Sequence, residues 1–386
     1  MSSLDNFALE KLSALEAVNQ RRTLVDTARE DGIWVARDGR RLLSFSCNDY
    51  LNLTHHPKVK AAAVAAIEKY GTGAGASRLI TGNHPLLGEL EMRLAKLKGA
   101  EAACVFGSGY LANTGIIPTL IGESDLLLLD ELSHSCLWAG AQMSRGRVLT
   151  FRHNDVAHAR DLLAQHRAGH HRALFITDGV FSMDGDLAPL HELSAVAAEH
   201  DAWLMSDDAH GLGVVGKGRG SAFVDGRKAR IDLQMGTLSK ALGSYGGYLC
   251  ASRAVIDLIK TRARTFVYST GLPPASVAAA IAALDVIETE PAFAARAVEK
   301  ARDFTRALNL PVAQSPIVPI LLGEETAALE AQQVLEKSGF LVTAIRPPTV
   351  PAGTARLRFA FTAGHPDPEI VRLAQIVRER VIPLRP

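Results

Sequence analysis

A lysine follows the end of an apolar run in LQMGTLSKALGSYGGYL, residues 233–249. Taken alone, Lys240 reads as a solvated surface charge. Its company argues for more: Thr237, Ser239, Ala241, Gly243, Ser244, Gly246 and Gly247 leave room for a planar ring beside the backbone. An amine in a partly desolvated, cationic pocket has its pKa lowered, which makes it a nucleophile and a base. A second group lies in SDDAHG, residues 206–211, where Asp207 closes another apolar run and His210 follows shortly after. His134 sits in a comparable place in LSHSCLWAG, residues 132–140. Singly, a buried aspartate is a hydrogen-bonded structural residue and each histidine a satisfied polar group at a loop edge. Their combination is what carries chemistry.

A lysine that forms a Schiff base with an aldehyde cofactor needs an electron sink. Pyridoxal phosphate (PLP) provides one when its ring nitrogen stays protonated. A carboxylate beside that nitrogen favours the charged ring, which gives Asp207 a role; His134 then stacks on the ring and His210 reaches its phenolic oxygen. The phosphate needs donors. FGSGYLAN, residues 106–113, places glycines between an apolar run and a helical pattern, exposing backbone N–H groups at a helix N-terminus. Alone this is no better than a tight turn; Ser108, Gly109 and Tyr110 gain weight because Thr237, Ser239 and the Ser269-Thr270 pair add hydroxyls for the same anion. Two glycine stretches are decoys. GLGVVGKG (211–218) has Gly218 where a P-loop needs Ser or Thr, and GTGAGASRLITG (71–82) follows a helical rather than a strand pattern. The pairs His55-His56 and His170-His171 lack a third ligand at useful spacing, so no metal is assigned.

The elements that must position these groups alternate. Apolar runs at 101–106, 125–130, 147–152, 173–178, 202–207, 231–236 and 246–251 are separated in several places by helical patterns such as PLHELSAVAAEH. Strands alternating with helices predict an α/β fold with a mainly parallel seven-stranded sheet flanked by helices; the short segment before the last run predicts one antiparallel strand. Ligands in such sheets gather outside the carboxyl ends of the strands, where Gly107–Tyr110, Glu131–His134, Asp178–Ser182, Asp207–His210 and Thr237–Lys240 converge. Residues 1–50 read as a helix and a hairpin turning at Asp38-Gly39, 51–290 as the large PLP-binding domain, and 291–386 as a smaller α+β domain. Residues 273–308 read as long helix. The 386 residues are 47% apolar, and 42 basic against 41 acidic side chains leave a formal charge of +1. That balance gives no reason to expect a nucleic-acid or polyanion binder. Four dispersed cysteines, no basic-then-apolar leader and a longest uncharged run broken by Pro273-Pro274 point to a soluble, cytoplasmic protein.

Read together, these segments resemble the α-oxoamine synthases, fold-type I PLP enzymes that join an amino acid to an acyl thioester with loss of carbon dioxide. The matching stretches run in order along nearly the whole chain: NDYLNL (48–53), GTGAGASRLITGNHPLLGELE (71–91), FGSGYLAN, LSHSCLWAG, DGVFSMDGDLAPL (178–190), SDDAHGLGVVG, TLSKALGSYGG and YSTGLPP (268–274). RPPTVPAGTARLRFAFTAGH (346–365) most resembles the member that uses L-alanine and a pimeloyl thioester, on coenzyme A or on a carrier protein. The resemblance implies that Lys240 is the Schiff-base lysine, with Asp207, His134 and His210 in the roles given above. It also implies cofactor contacts from Ser108, Gly109, Tyr110, Ser182, Thr237, Ser239 and Thr270, the last from the neighbouring subunit of a homodimer. Arg358 and Asn48 would hold the amino acid, with His134, while Arg22, Arg346 and Thr349 would meet the acyl substrate. Asn52, Ala76, Cys136 and Trp138 depart from the family pattern. Competing readings are a glycine-using member (glycine C-acetyltransferase or 5-aminolevulinate synthase) and a nucleotide-binding or structural α/β protein without PLP.

Overall fold

The computed structural model describes residues 2–18 and 20–385. Its centre is a seven-stranded sheet built from β1 (Ala102–Phe106), β2 (Leu126–Asp130), β3 (Arg147–Phe151), β4 (Ala173–Asp178), β5 (Trp203–Asp207), β6 (Leu233–Thr237) and β7 (Gly247–Ala251). The spatial order is β1-β7-β6-β5-β4-β2-β3. Pairings among β2 to β6 are parallel, and β7 runs antiparallel to both β1 and β6. The antiparallel strand follows from connection length: residues 238–246 are too few for the crossover that a parallel neighbour requires. All seven runs expected as strands are strands.

Burial on both faces explains why these runs lack polar alternation. In β2, Leu126 and Leu128 pack with Phe175, Leu193 and Leu204 on one face. Leu127 and Leu129 pack with Ile116, Ile117 and Met205 on the other. The helices that matter most for the site start at the rim: α1 (Gly109–Leu120) after β1 and α2 (Ser135–Met143) after β2.

The chain divides into two units. One comprises residues 47–318 and 360–365; the other comprises 1–46, 319–359 and 366–386. The borders expected at 50 and 290 therefore move. The hairpin of Trp34–Arg37 and Arg40–Ser44 turns at Asp38-Gly39, both with positive φ, and its second strand pairs in parallel with Phe340–Leu341. That long-range pairing ties the N-terminal stretch to the later chain rather than leaving it a segment of its own. The expected long helix is two, Pro274–Thr289 and Pro291–Ala307. Pro291 cannot continue the first helix but suits the first turn of the second. The opening helix runs from Ser3 to Ala17 and buries none of its residues.

Candidate active site

Each rim residue is placed by the end of a strand. Ser108 caps α1, its hydroxyl accepting from Leu111 N at 3.2 Å. The N–H groups of the helix's first turn, Gly109 and Tyr110 among them, have no intrahelical acceptor and face outward as anion donors. Gly247 on β7 passes so close that a Cβ there would stand 2.5 Å from the Ser108 carbonyl oxygen, so only glycine fits. His134 caps α2, with Nδ1 accepting from Cys136 N at 3.2 Å. Lys240 sits in the β6–β7 loop, where Gly243 N donates to its carbonyl at 2.9 Å and Leu238 N donates to Gly246 O at 2.9 Å. Gly243 and Gly246 take positive φ in closing that loop.

These ends enclose a cavity of about 230 Å³ lined by Ser108, Gly109, Tyr110, His134, Cys136, Asp178, Asp207, Ala209, His210, Met235, Thr237, Ser239 and Lys240. Nine of the residues expected at the site meet here. Asp207 is buried, one oxygen accepting from Asn113 Nδ2 at 2.7 Å and the other from Ala209 N at 2.9 Å. Thr237 and Ser239 hydroxyls lie 2.8 Å apart. Lys240 Nζ is 2.7 Å from His210 Nε2, and the Nδ1 of His210 is 2.6 Å from the hydroxyl of buried Tyr50. Tyr50 also donates to Asn48 Oδ1 at 3.2 Å.

Two buried carboxyls and their neighbours set the electrostatics of the cavity. Asp178 lies beside Asp207 and its carboxyl is held well above its ordinary value, first by burial and then by the Asp207 charge. It accepts from His134 N at 2.9 Å. Burial lowers the His134 pKa and the Lys240 charge adds to this, with Asp207 opposing, so a neutral imidazole forms the wall. Burial and then Asp207 push the Cys136 thiol up to about 12, so it remains a thiol, 2.8 Å from His134 Nδ1. Asn113, Cys136 and Asp178 thus belong to the site although their individual roles are not marked by the motifs. All three lie inside the matched segments, and their hydrogen bonds in the fold show what they touch.

Other expected residues lie elsewhere. Ser182 is buried in the loop after β4, and Thr270 forms an isolated bridge with Ser77. In the other unit, Arg22 donates to the Thr349 hydroxyl at 2.8 Å, and both line a cavity of about 510 Å³ with Arg346. Arg358 is buried on strand Ala355–Ala360, opposite Thr343. Asn52 has φ 54°, the left-handed backbone in which Asn is one of the few residues other than glycine at ease. Among the described residues no cluster of three or more His, Cys, Asp or Glu is placed to hold a metal, and no helix is long and apolar enough to cross a membrane.

Residues 40–377 match the family model of aminotransferase class I and II. The chain belongs to that family. It is 64% identical over 377 residues to the 8-amino-7-oxononanoate synthase of Beijerinckia indica subsp. indica, covering 98% of each chain. A serine palmitoyltransferase variant from S. paucimobilis with bound PLP–myriocin superposes with a TM-score of 0.92, at 28% identity, over 100% of this chain and 99% of that one. The crystal structure of 8-amino-7-oxononanoate synthase from Francisella tularensis gives a TM-score of 0.76 at 25% identity, over 88% of this chain and 98% of that one. Family and fold-type I architecture therefore agree with the arrangement of strand ends.

The cavity also fits PLP on its own terms. A helix N-terminus and the Ser108, Thr237 and Ser239 hydroxyls offer donors for a dianion. A buried carboxylate hydrogen-bonded on both oxygens suits a protonated ring nitrogen, an amine suits an aldehyde, and a neutral imidazole lines the wall. At Gly109 a Cβ would stand 3.2 Å from Met235 Cε, so a side chain there would narrow the space.

Proposed function

We propose that this chain is a PLP-dependent acyltransferase that condenses L-alanine with a pimeloyl thioester. The products are 8-amino-7-oxononanoate, carbon dioxide and free thiol, a step of biotin biosynthesis. The observation that carries the reading is Lys240 and Asp207 facing one cavity with Ser108–Tyr110 and His134, in a chain alike over 98% of its length to a synthase of that name. When bound, the cofactor supplies an electron sink for negative charge developing at the amino acid's Cα. Asp207 keeps the ring nitrogen protonated, and Asn113 and Ala209 N hold the carboxylate in place. The Lys240 amine takes the Cα proton, a general-base role worth about 10²–10⁴-fold in rate. His210, 2.7 Å from that amine, is positioned to exchange a proton with it or to hold it in line.

In this reading Ser108, Gly109, Tyr110, Thr237 and Ser239 bind the phosphate end, His134 stacks on the ring, and Ser182 lies near it. Asn48 and Arg358 take the alanine carboxylate, and Arg22, Arg346 and Thr349 take the acyl substrate. Thr270 would reach the phosphate from the partner subunit, making the enzyme a cytoplasmic homodimer with a shared site. The exposed setting of Thr270 beside Tyr268, which is 77% exposed, supports an interface there. The test is product mass with L-alanine or glycine and a panel of acyl thioesters, together with borohydride reduction of the holoenzyme. The expected results are the mass of 8-amino-7-oxononanoate from L-alanine and pimeloyl thioester, and a pyridoxyl group on Lys240. Product from glycine alone, or a label elsewhere, overturns the reading.

A further inference from the structure

A cluster outside the cavity ties the turn that delivers His134 to the loop that follows β4. His153, at the end of β3, is 3.0 Å through Nδ1 from Asp130 Oδ1 and 2.8 Å through Nε2 from Asp186 Oδ2. Asp130 is fully buried at the end of β2. Its Oδ1 also accepts from Leu132 N at 2.9 Å, and its Oδ2 from Asn154 N at 2.8 Å. Leu132 and Ser133 form the turn that delivers His134, with Ser133 N donating to Asp130 O at 3.0 Å. On the other side, Asp186 belongs to the loop after β4. Its carbonyl accepts from Phe181 N at 3.0 Å, which closes the turn that carries Ser182. Asn154 Nδ2 adds a second bond to Asp186 Oδ2 at 2.8 Å. The Phe181 ring stands edge-on to the imidazole, with centroids 4.3 Å apart.

Two carboxylates from different loops, held either side of one ring, repel unless that ring is charged. Each ring nitrogen has an acceptor within hydrogen-bond reach, which is the pattern of an imidazolium donating twice. The electrostatics agree with the geometry. Burial opposes the charge, but the bonds to Asp130 and then Asp186 raise the His153 pKa to about 10. Nothing in the catalytic reading uses this histidine, and it does not line the cavity.

We propose that His153 is a positioning residue, a charged latch that holds the His134-bearing turn and the Ser182-bearing loop in fixed relation across the cofactor site. The latch rests on the functional reading above only in taking His134 and Ser182 as cofactor neighbours. A plain structural pin would support one contact or the fold as a whole; a latch couples two named segments.

The experiment is amide hydrogen exchange on the cofactor-free, full-length protein, paired with PLP affinity measured by titration. In His153→Gln, exchange in residues 131–134 and 179–188 should rise at least tenfold together, with the β4 and β5 amides unchanged, and the Kd for PLP should rise about tenfold. In Asp186→Asn, which leaves the Asp130 bond, only 179–188 should loosen. Unchanged exchange, a uniform rise over the whole unit, or loosened loops with PLP affinity within twofold of wild type would each overturn the latch. Should His153→Gln fail to fold, His153→Asn decides by the same criteria: joint loosening of 131–134 and 179–188 with weaker PLP binding supports the latch, and any other pattern overturns it. Failure of the functional reading would appear in the wild-type product assay, whereas failure of the latch appears only in the variants.

Discussion

Replacing Asp207 by Asn changes almost no volume, so its effect is set by hydrogen bonding and charge rather than by packing. The carboxylate accepts from Asn113 Nδ2 on one oxygen and from Ala209 N on the other. An amide at this place has one acceptor and one donor. Whichever way it turns, its NH₂ meets a buried N–H, a mismatch of about 1–3 kcal/mol in folding stability. At the ring nitrogen the loss is different: a hydrogen bond to a charged partner, about 1.5–3 kcal/mol. At about 1.36 kcal/mol per tenfold, that is a fall in kcat of roughly 10–150-fold, and more where the nitrogen loses its proton. The neighbouring carboxyl is the control. Asp178 is equally buried, and burial and then the Asp207 charge hold its pKa well up; a group shifted toward its neutral form loses less charge on replacement, so Asp178→Asn should keep kcat within about fivefold of wild type. The assay is steady-state product formation with L-alanine and pimeloyl-CoA at saturating PLP, with urea unfolding of each cofactor-free variant to separate stability from turnover. Asp207→Asn within threefold of wild type, or equal losses in the two variants, would refute the role given to Asp207.

Further outcomes follow from other buried charges. Lys98 is fully buried with Nζ 2.6 Å from Asp208 Oδ2 and 2.7 Å from the Arg219 carbonyl; Lys98→Ala leaves Asp208 buried without its cation and should cost about 3–5 kcal/mol in urea unfolding, a value near zero refuting the pair's importance. Lys240→Ala should lower turnover by at least about 10²-fold while the cofactor-free fold unfolds at an unchanged urea midpoint; wild-type activity would remove Lys240 from the reaction. His153 gives a pH dependence whose sign is fixed: its folded pKa of about 10 lies above the ordinary 6.5, so its stabilisation is complete below about pH 6.5 and is lost as pH rises through 10. The Tm gap between wild type and His153→Gln should therefore narrow from pH 7 to pH 10.5, and a gap that widens would contradict the charged ring.

What could be read without coordinates divides along a physical line. Lys240, Asp207, His134 and His210 each stand at the end of a strand, so a strand pattern of short apolar runs was enough to bring them to one rim. The seven strands were legible for the same reason: runs such as LLLL in β2 are buried on both faces and interrupted by turns. Contacts between side chains distant in sequence were not legible. Nothing local says that Asn113 would hold Asp207 across 94 residues of chain, or that His153 would bridge Asp130 and Asp186. The helix through residue 290 failed on a smaller point, since Pro291 is as welcome at a new helix start as it is unwelcome inside an old one. The same distinction explains the unit borders. The hairpin at 34–44 is a local signal, but the strand that completes it comes from Phe340–Leu341, and a partner nearly 300 residues away leaves no trace in the pattern of either segment. A sequence therefore declares its reacting groups sooner than the groups that hold them. In this chain the positioning residues, His153 foremost, are where coordinates add most to the chemistry.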